Sequence, residues 1–350
     1  MRLEPVANPG IMRRILPPML ALVATVLLGA ALARLAGADP LAVFGLIVKG
    51  AAGSRFALLE TLNRATPLIF TGLAVAVAFR ARLWNIGAEA QFFAGGLLAV
   101  LIGLNLGPLL PSAVLWPAMA LGAMAAGAVL LLGPALLKLR FGVDEVVTTL
   151  LLNFVMLLFV SMLLEGPLRD PMGMGWPRSP ALPPEARLPR ILPGLRLHWG
   201  FALAVAAAIL IWIIDRKTTL GYEMRAVGLN ETAARHAGMP VRRVVLLTAV
   251  LSGGLAALGG FSEVAGVRGS LTLDLSPGFG YTGIIVAMLA LLNPLGVIFS
   301  ALFVAAIFVG ADSMSRAAQV PTYIADILLA FALLAMVLAL LTTRYRLRRA

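Results

Sequence analysis

Apolar runs closed by short polar, glycine-rich or proline-rich breaks recur along this chain. They fall at 15–36, 62–79, 89–105, 113–137, 146–164, 199–214, 244–260, 279–292, 294–312 and 322–342. Most match the roughly 20 helical residues needed to cross the hydrocarbon of a bilayer. The pattern predicts an all-α polytopic membrane protein with about ten transmembrane helices in one domain, 1–350. The eighth run is too short to cross unaided. A nine-crossing arrangement with a re-entrant eighth segment is therefore the alternative.

Between the sixth and seventh runs lies a polar island, 215–243, with a pattern of its own. Leu220, Met224 and Val227 take the i, i+4, i+7 spacing of one helical face, and Gly228 then interrupts it. A second short helix follows. Asn230 is placed to cap it, Glu231 suits its positive end, Arg235 and His236 suit its negative end, and Gly238 with Pro240 stops it. Two short capped helices in a loop make a docking surface, the alternative being a plain solvated loop.

Composition removes the soluble alternative. The 350 residues are 61% hydrophobic and 13% charged, with a mean hydropathy of +0.97. Basic residues near span ends are held on the cytoplasmic side. Arg2, Arg13 and Arg14 precede the first run, and Arg344, Arg346, Arg348 and Arg349 follow the last, which predicts two cytoplasmic termini and an even number of crossings. Arg80, Arg82, Lys138, Arg140 and the basic residues of 215–243 then lie inside, and the loop 165–198 lies outside. That outer loop runs against the rule with Arg169, Arg178, Arg187, Arg190 and Arg196, spread among eight prolines. A cleavable leader, suggested by Arg13, Arg14 and Ala31-Leu-Ala33, is disfavoured because the apolar run is long and its loss would leave an odd count.

The formal charge of +12 is explained by topology and anionic headgroups, with no aromatic-interleaved basic patch to favour nucleic acid. Without cysteine there are no disulfides, thiolate ligands or iron–sulfur clusters, and His198 and His236 fall on opposite sides of the membrane, so no metal site is expected. No phosphate-binding Gly-x-x-x-x-Gly-Lys loop occurs, and no hydrolase signature. Glu89, Glu263, Asp312 and Asp326 are the carboxylates nearest membrane depth, each read as an interfacial or cavity-facing group or as a member of a proton relay. A passive pathway with a cytoplasmic handle remains, which suits a pump whose motor is a separate protein.

Several separated segments carry a family resemblance, from about Thr61 to Ala339. They are Arg64-Ala-Thr-Pro67, Thr71 to Arg80, Leu83-Trp-Asn-Ile-Gly-Ala-Glu-Ala-Gln91, Phe141-Gly-Val-Asp-Glu-Val-Val-Thr-Thr-Leu-Leu-Leu-Asn153 and Gly166-Pro-Leu-Arg-Asp-Pro171. The chain resembles the inner-membrane permease subunits of bacterial ABC importers that serve ribose, other simple sugars, branched-chain amino acids and nucleosides, and most resembles the nucleoside type. Gly221 to Gly238 is similar to that family's coupling helix, which sits in a groove of the ATPase subunit. The resemblance assigns coupling to Gly221, Glu223, Arg225, Gly228, Asn230, Ala233, Ala234 and Gly238. The two alanines permit close docking, while Glu223 and Arg225 offer charged contacts at the rim.

The resemblance also implies the partners: an ABC ATPase with tandem cassettes that uses ATP and magnesium, a second, related permease chain, and a periplasmic or lipid-anchored binding protein. The subunit itself would be non-catalytic, would bind no cofactor, and would sit among the lipids of the bacterial inner membrane. Asn63, Asn85, Glu89, Gln91 and Asn153 are the candidates for the pathway, with Glu165, Arg169 and Asp170 at its outer mouth. Each has an interhelical hydrogen bond as its alternative role, and Asn85 and Glu89 equally suit caps of a broken helix around Gly87. Gly253, Gly254, Gly259 and Gly260 are read as close helix packing. Two departures stand out: Ala90 replaces a glycine of the family turn, and Val286 to Pro294 lacks the usual Gly-Arg. An ion-coupled secondary transporter of a small polar solute, with Glu89 as the coupling group, is the alternative function.

Overall fold

The computed structural model describes residues 2–5, 11–192, 194–318, 322–324, 327, 330, 331, 334, 335, 338, 339 and 345–348. Most of the tenth run, with Asp326, Arg344 and Arg349, lies outside these described residues. Every other predicted run is a helix. They are α1 (Ile11–Leu35), α3 (Arg55–Arg80), α4 (Ala88–Leu106), α5 (Ser112–Phe141), α6 (Glu145–Glu165), α7 (Gly200–Lys217), α10 (Val241–Glu263), α11 (Phe279–Leu289) and α12 (Pro294–Ala318). The polar island supplies α8 (Thr219–Leu229) and α9 (Glu231–His236). A further helix, α2 (Pro40–Ala52), has no counterpart in the predicted runs. Its apolar stretch is short and ends at Lys49, which hides it from a search for full spans. Asp39 caps it by accepting from the Leu41 amide, and Pro40 occupies the first turn, where no amide is needed.

Among the described residues, six helices are long and apolar enough to cross a membrane: α3, α4, α5, α6, α10 with its extension to Arg268, and α12. Val23–Leu35 and α2, bent by 112°, make a seventh if the pair is one span. α7 is apolar until it ends in Asp215-Arg216-Lys217. α11 has 11 residues and so reaches about 16 Å, half of a bilayer core. Arg2–Pro5 (β1) pairs antiparallel with Tyr345–Arg348 (β2), which brings the two ends of the chain together.

The chain forms two compact units. One comprises 1–61 and 303–350. Its apolar cluster joins Ala33, Val43, Met314 and Ile324, and the Thr61 hydroxyl donates to the Ala51 carbonyl at 2.9 Å. The other, 62–302, is built on α10, which packs on both α4 and α5. Gly253 of α10 lies directly on the backbone of Gly127 in α5, and Gly260 lies on the Phe92 carbonyl of α4. At both places a β-carbon would collide with main chain, so glycine sets the helix separation. Of the four glycines read as packing residues, Gly253, Gly259 and Gly260 are tightly placed, whereas a β-carbon at Gly254 would make only ordinary contact with Met124. α6 has only 22% of its apolar window buried and forms the periphery of the unit.

The loop from Gly166 to Trp199 folds over the segment that follows α10. α10 continues as a π-helical turn, Val264–Arg268, closed by Gly269 at φ +72°. The amides of Ser179, Leu182 and Leu188 donate to the carbonyls of Leu271, Gly269 and Ala265 at 2.9, 2.7 and 2.9 Å. The proline-rich loop is thereby an ordered cover.

Candidate functional site

Asp215 is the last acidic group of α7 and sits at the negative end of that helix dipole, an unfavourable place unless cations surround it. They do. Arg80, at the end of α3, donates through Nη1 to Oδ1 and Oδ2 of Asp215 at 2.8 and 2.7 Å, and through Nη2 to the Leu292 carbonyl at 2.5 Å. Arg225 of α8 donates to Asp215 Oδ1 at 2.9 Å and also to the Asp215 carbonyl. Arg216 Nε stands 3.7 Å from Oδ2. A carboxylate only 1% exposed thus ties α3, α7, α8 and the α11–α12 turn to one point. The sequence reading missed this centre, although an acid in the last turn of an apolar helix is a signal that cations must meet it. That reading set Arg225 at a docking rim, and the structure commits its guanidinium to Asp215.

α8 is seated closely. Thr218 caps it by accepting from the Gly221 amide at 3.3 Å, and Met224 and Val227 are buried on the predicted face. Gly228 lies against the Arg80 carbonyl and Gly221 against the Ile214 and Asp215 carbonyls, so neither position has room for a side chain. α9 follows the sequence prediction. Asn230 Oδ1 accepts from the Ala233 amide at 3.0 Å, Arg235 pairs with Glu231 at 2.7 Å, and Gly238 ends the helix at φ +80°. Ala234 is buried, while Leu229, Asn230, Ala233, Arg235 and His236 are exposed. Glu223 is half-buried.

A second polar centre surrounds the break between α3 and α4. Asn85 and Gln91 exchange side-chain hydrogen bonds of 2.9 Å in both directions. Asn85 Nδ2 also donates to Ser252 Oγ at 3.0 Å, and Ser252 in turn donates to the Ala74 carbonyl at 2.7 Å. Asn153 of α6 accepts from the Ala90 amide and donates to the Ile86 carbonyl, both at 2.9 Å. Glu145 accepts from Lys138 Nζ at 2.5 Å and from the Trp84 amide at 3.3 Å. The structure therefore brings Asn85, Gln91 and Asn153 together and uses them to hold a turn inside the bundle. Ala90 takes its place in α4 without a positive φ, which explains why the departure from glycine is tolerated. At the other departure, Leu291 and Leu292 adopt φ +50° and +59° in the α11–α12 turn.

Glu89 lies apart from that centre. Its Oε2 accepts from the Gly280 amide at 2.6 Å, so a carboxylate faces the positive end of α11. Asn63 of α3 is also separate, buried, with Oδ1 lacking a hydrogen-bond partner among the described residues. Next to it in sequence, Arg64 lies 5.2 Å from the centroid of the Phe279 ring. In the outer loop, Asp170 pairs with Arg178 at 3.1 Å and accepts from the Met172 amide at 2.9 Å, while Glu165 and Arg169 are exposed. His198 is 1% exposed and accepts at Nδ1 from the Gly200 amide at 3.1 Å. Burial lowers its pKa from 6.5 to about 4. No group of three or more metal-ligating acids and histidines occurs among the described residues.

Residues 57–338 match a family model described as branched-chain amino acid transport system / permease component. The glucose ABC transporter permease protein TsgB13 of Haloferax volcanii is 36% identical over 339 residues, covering 94% of this chain and 88% of its own. The guanosine ABC transporter permease protein NupP of Bacillus subtilis is 33% identical over 327 residues, covering 91% and 92%. The nucleoside ABC transporter permease protein NupB of Lactococcus lactis is 32% identical over 321 residues, covering 87% and 85%.

Proposed function

The chain belongs to the branched-chain amino acid transport system / permease component family, and on that premise we propose that it forms the pathway of an ATP-driven importer for a nucleoside or simple sugar. The observation that carries the reading is near-full-length similarity to permeases named for glucose, guanosine and nucleosides. The family match runs from 57 to 338, across both compact units, which supports one permease domain.

The subunit is non-catalytic and binds no cofactor of its own. A separate ATPase with tandem cassettes uses ATP and magnesium, a second, related permease completes the pathway, and a periplasmic or lipid-anchored binding protein delivers the solute. Ten crossings of the bacterial inner membrane, with α11 as the short eighth one, leave both termini in the cytoplasm. The pairing of β1 with β2 supports an even number, since it needs both ends on one side.

α8 and α9 act as the coupling segment. Docking on the ATPase uses the exposed face around Asn230 and Ala233, and Glu223, Gly221, Gly228, Ala234 and Gly238 set the shape and seat of that segment. Arg225 passes its movement inward through Asp215 and Arg80 to α3 and the α11–α12 turn. ATP binding closes the cassettes, α8 and α9 move as one rigid element, and the spans change from outward to inward access.

In the pathway, Asn63 is the strongest candidate because its buried oxygen has an unused acceptor. Asn85, Gln91 and Asn153 shape the wall from behind. Glu89 is occupied in capping α11, which weighs against the ion-coupled alternative. The test is uptake of a panel of radiolabelled nucleosides and sugars into cells with and without this gene. Loss of nucleoside uptake alone supports the reading, and unchanged uptake of every solute defeats the substrate assignment. The companion test is an Arg225→Ala, Asn230→Ala double variant, for which full uptake would remove the coupling role.

A further inference from the structure

Beside the proposed coupling segment, the beginning of α10 and the end of α5 line an open surface groove of 640 Å³. Its walls are Leu139 of α5 with Leu246, Leu247 and Val250 of α10, and Arg235, Arg242 and Arg243 line it as well. The order of these residues has a physical meaning. Arg242 and Arg243 occupy the first turn of α10, and Val250 lies about 10 Å further along the helix. Charge is therefore gathered at one end of the groove and hydrocarbon at the other.

We propose that this groove binds an anionic phospholipid, with the phosphate against Arg242, Arg243 and Arg235 and an acyl chain along Leu139, Leu247 and Val250. The proposal rests on the membrane orientation given above, in which α10 starts at the cytoplasmic surface. Leu247 and Val250 are exposed at 37% and 39%, on the uncovered side of a helix that is otherwise largely packed within the bundle. A free phosphate would gain nothing from these walls. A docked peptide would find few partners for its backbone amides and carbonyls there, and burying them unpaired is costly. An anionic lipid satisfies both ends, and basic residues at a cytoplasmic span end attract such headgroups.

The site also has a consequence for coupling. Arg235 belongs to α9 and is paired with Glu231 of the same helix, whereas Arg242 and Arg243 belong to α10. A single headgroup would bridge the coupling segment to the membrane span behind it. Lipid charge would then help fix where α9 sits.

The importer complex, purified in mild detergent, is titrated with phosphatidylglycerol and with phosphatidylcholine, and bound lipid is counted by native mass spectrometry. Phosphatidylglycerol is expected to bind preferentially. Arg242→Gln with Arg243→Gln should weaken it about thirtyfold. Leu247→Trp, which fills the groove and keeps every charge, should weaken both lipids. A thermal unfolding curve unchanged from the parent shows that each variant is folded. Retention of phosphatidylglycerol at the parental level by either variant overturns the proposal, as does displacement of the lipid by inorganic phosphate, which would mark a simple anion site. The readout needs no transport, so a wrong solute assignment would leave it unaffected.

Discussion

Arg80 grips Asp215 with one guanidinium nitrogen shared between both carboxylate oxygens, at 2.8 and 2.7 Å, while its other terminal nitrogen holds the Leu292 carbonyl. The two residues are 135 positions apart, and the bond joins the end of α3 to the end of α7. Arg225 reaches the same carboxylate from α8. A buried ion cluster contributes little net stability compared with apolar packing, yet losing one member leaves uncompensated charge. Such a cluster suits a rigid joint, because its geometry is costly to distort.

Replacing Asp215 with asparagine should therefore do more than remove one bond. Arg80 and Arg225 would face each other without an anion between them. Destabilisation on the order of 3–5 kcal/mol is expected, visible as a lower unfolding temperature in detergent. Arg225→Lys separates joint from fold, since it keeps a cation near Asp215 but replaces the fixed guanidinium, whose Nη1 meets both the carboxylate and the carbonyl of Asp215, with a flexible point charge. Uptake per ATP hydrolysed in reconstituted vesicles should fall several-fold with the fold intact. An unchanged ratio would leave the cluster a purely structural feature.

Asn230→Ala tests the seat of the coupling segment more gently. The lost cap on α9 costs about 1 kcal/mol, equivalent to roughly fivefold faster opening of that helix. Hydrogen exchange of the amides from Ala233 to His236 should accelerate by that factor while α10 is unaffected. No acceleration would mean that α9 is held by its buried Ala234 and its junction with α10, and that Asn230 is free for a partner.

Much of this arrangement was legible in the sequence, for reasons that also mark where legibility stopped. Runs of apolar residues announced the spans, and Asn230, Glu231 and Gly238 announced α9 because capping is local chemistry. α2 escaped because its short apolar stretch, closed by Lys49, lacks the length of a crossing. The roles of Asn85, Gln91 and Asn153 were undecidable, since a buried amide looks the same in a sequence whether it meets a solute or another amide. The fate of Arg225 depended on Arg80 and Leu292, which are distant in the chain. Asp215 alone carried a warning, in an acidic group at the wrong end of a helix.

Asn153→Leu distinguishes wall from pathway. The change leaves the Ala90 amide and the Ile86 carbonyl unpaired in the interior, at roughly 2–4 kcal/mol. The unfolding temperature should drop, with the apparent KM for the transported solute nearly constant in the surviving protein. Asn63→Leu should show the opposite pattern, near-parental stability and a raised KM, because the Asn63 oxygen has no hydrogen-bond partner among the described residues. A raised KM in the first variant and none in the second would reverse the assignment.

His198 gives the fold a pH dependence of definite sign. Burial holds its folded pKa near 4, below the 6.5 of an unfolded chain, so the native state keeps a neutral ring where the unfolded state takes a proton. The contribution is complete above pH 6.5 and is lost progressively as pH falls from 6.5 towards 4. The shift corresponds to about 3 kcal/mol at full expression. In His198→Phe the ring volume is retained and the titration removed, although the Gly200 amide loses its acceptor. The parent should therefore lose stability more steeply than the variant between about pH 7 and pH 4. Carboxylates elsewhere titrate equally in both proteins, so the difference between the two unfolding curves isolates His198. Parallel curves across that range would mean that the ring is hydrated and protonates without unfolding its surroundings.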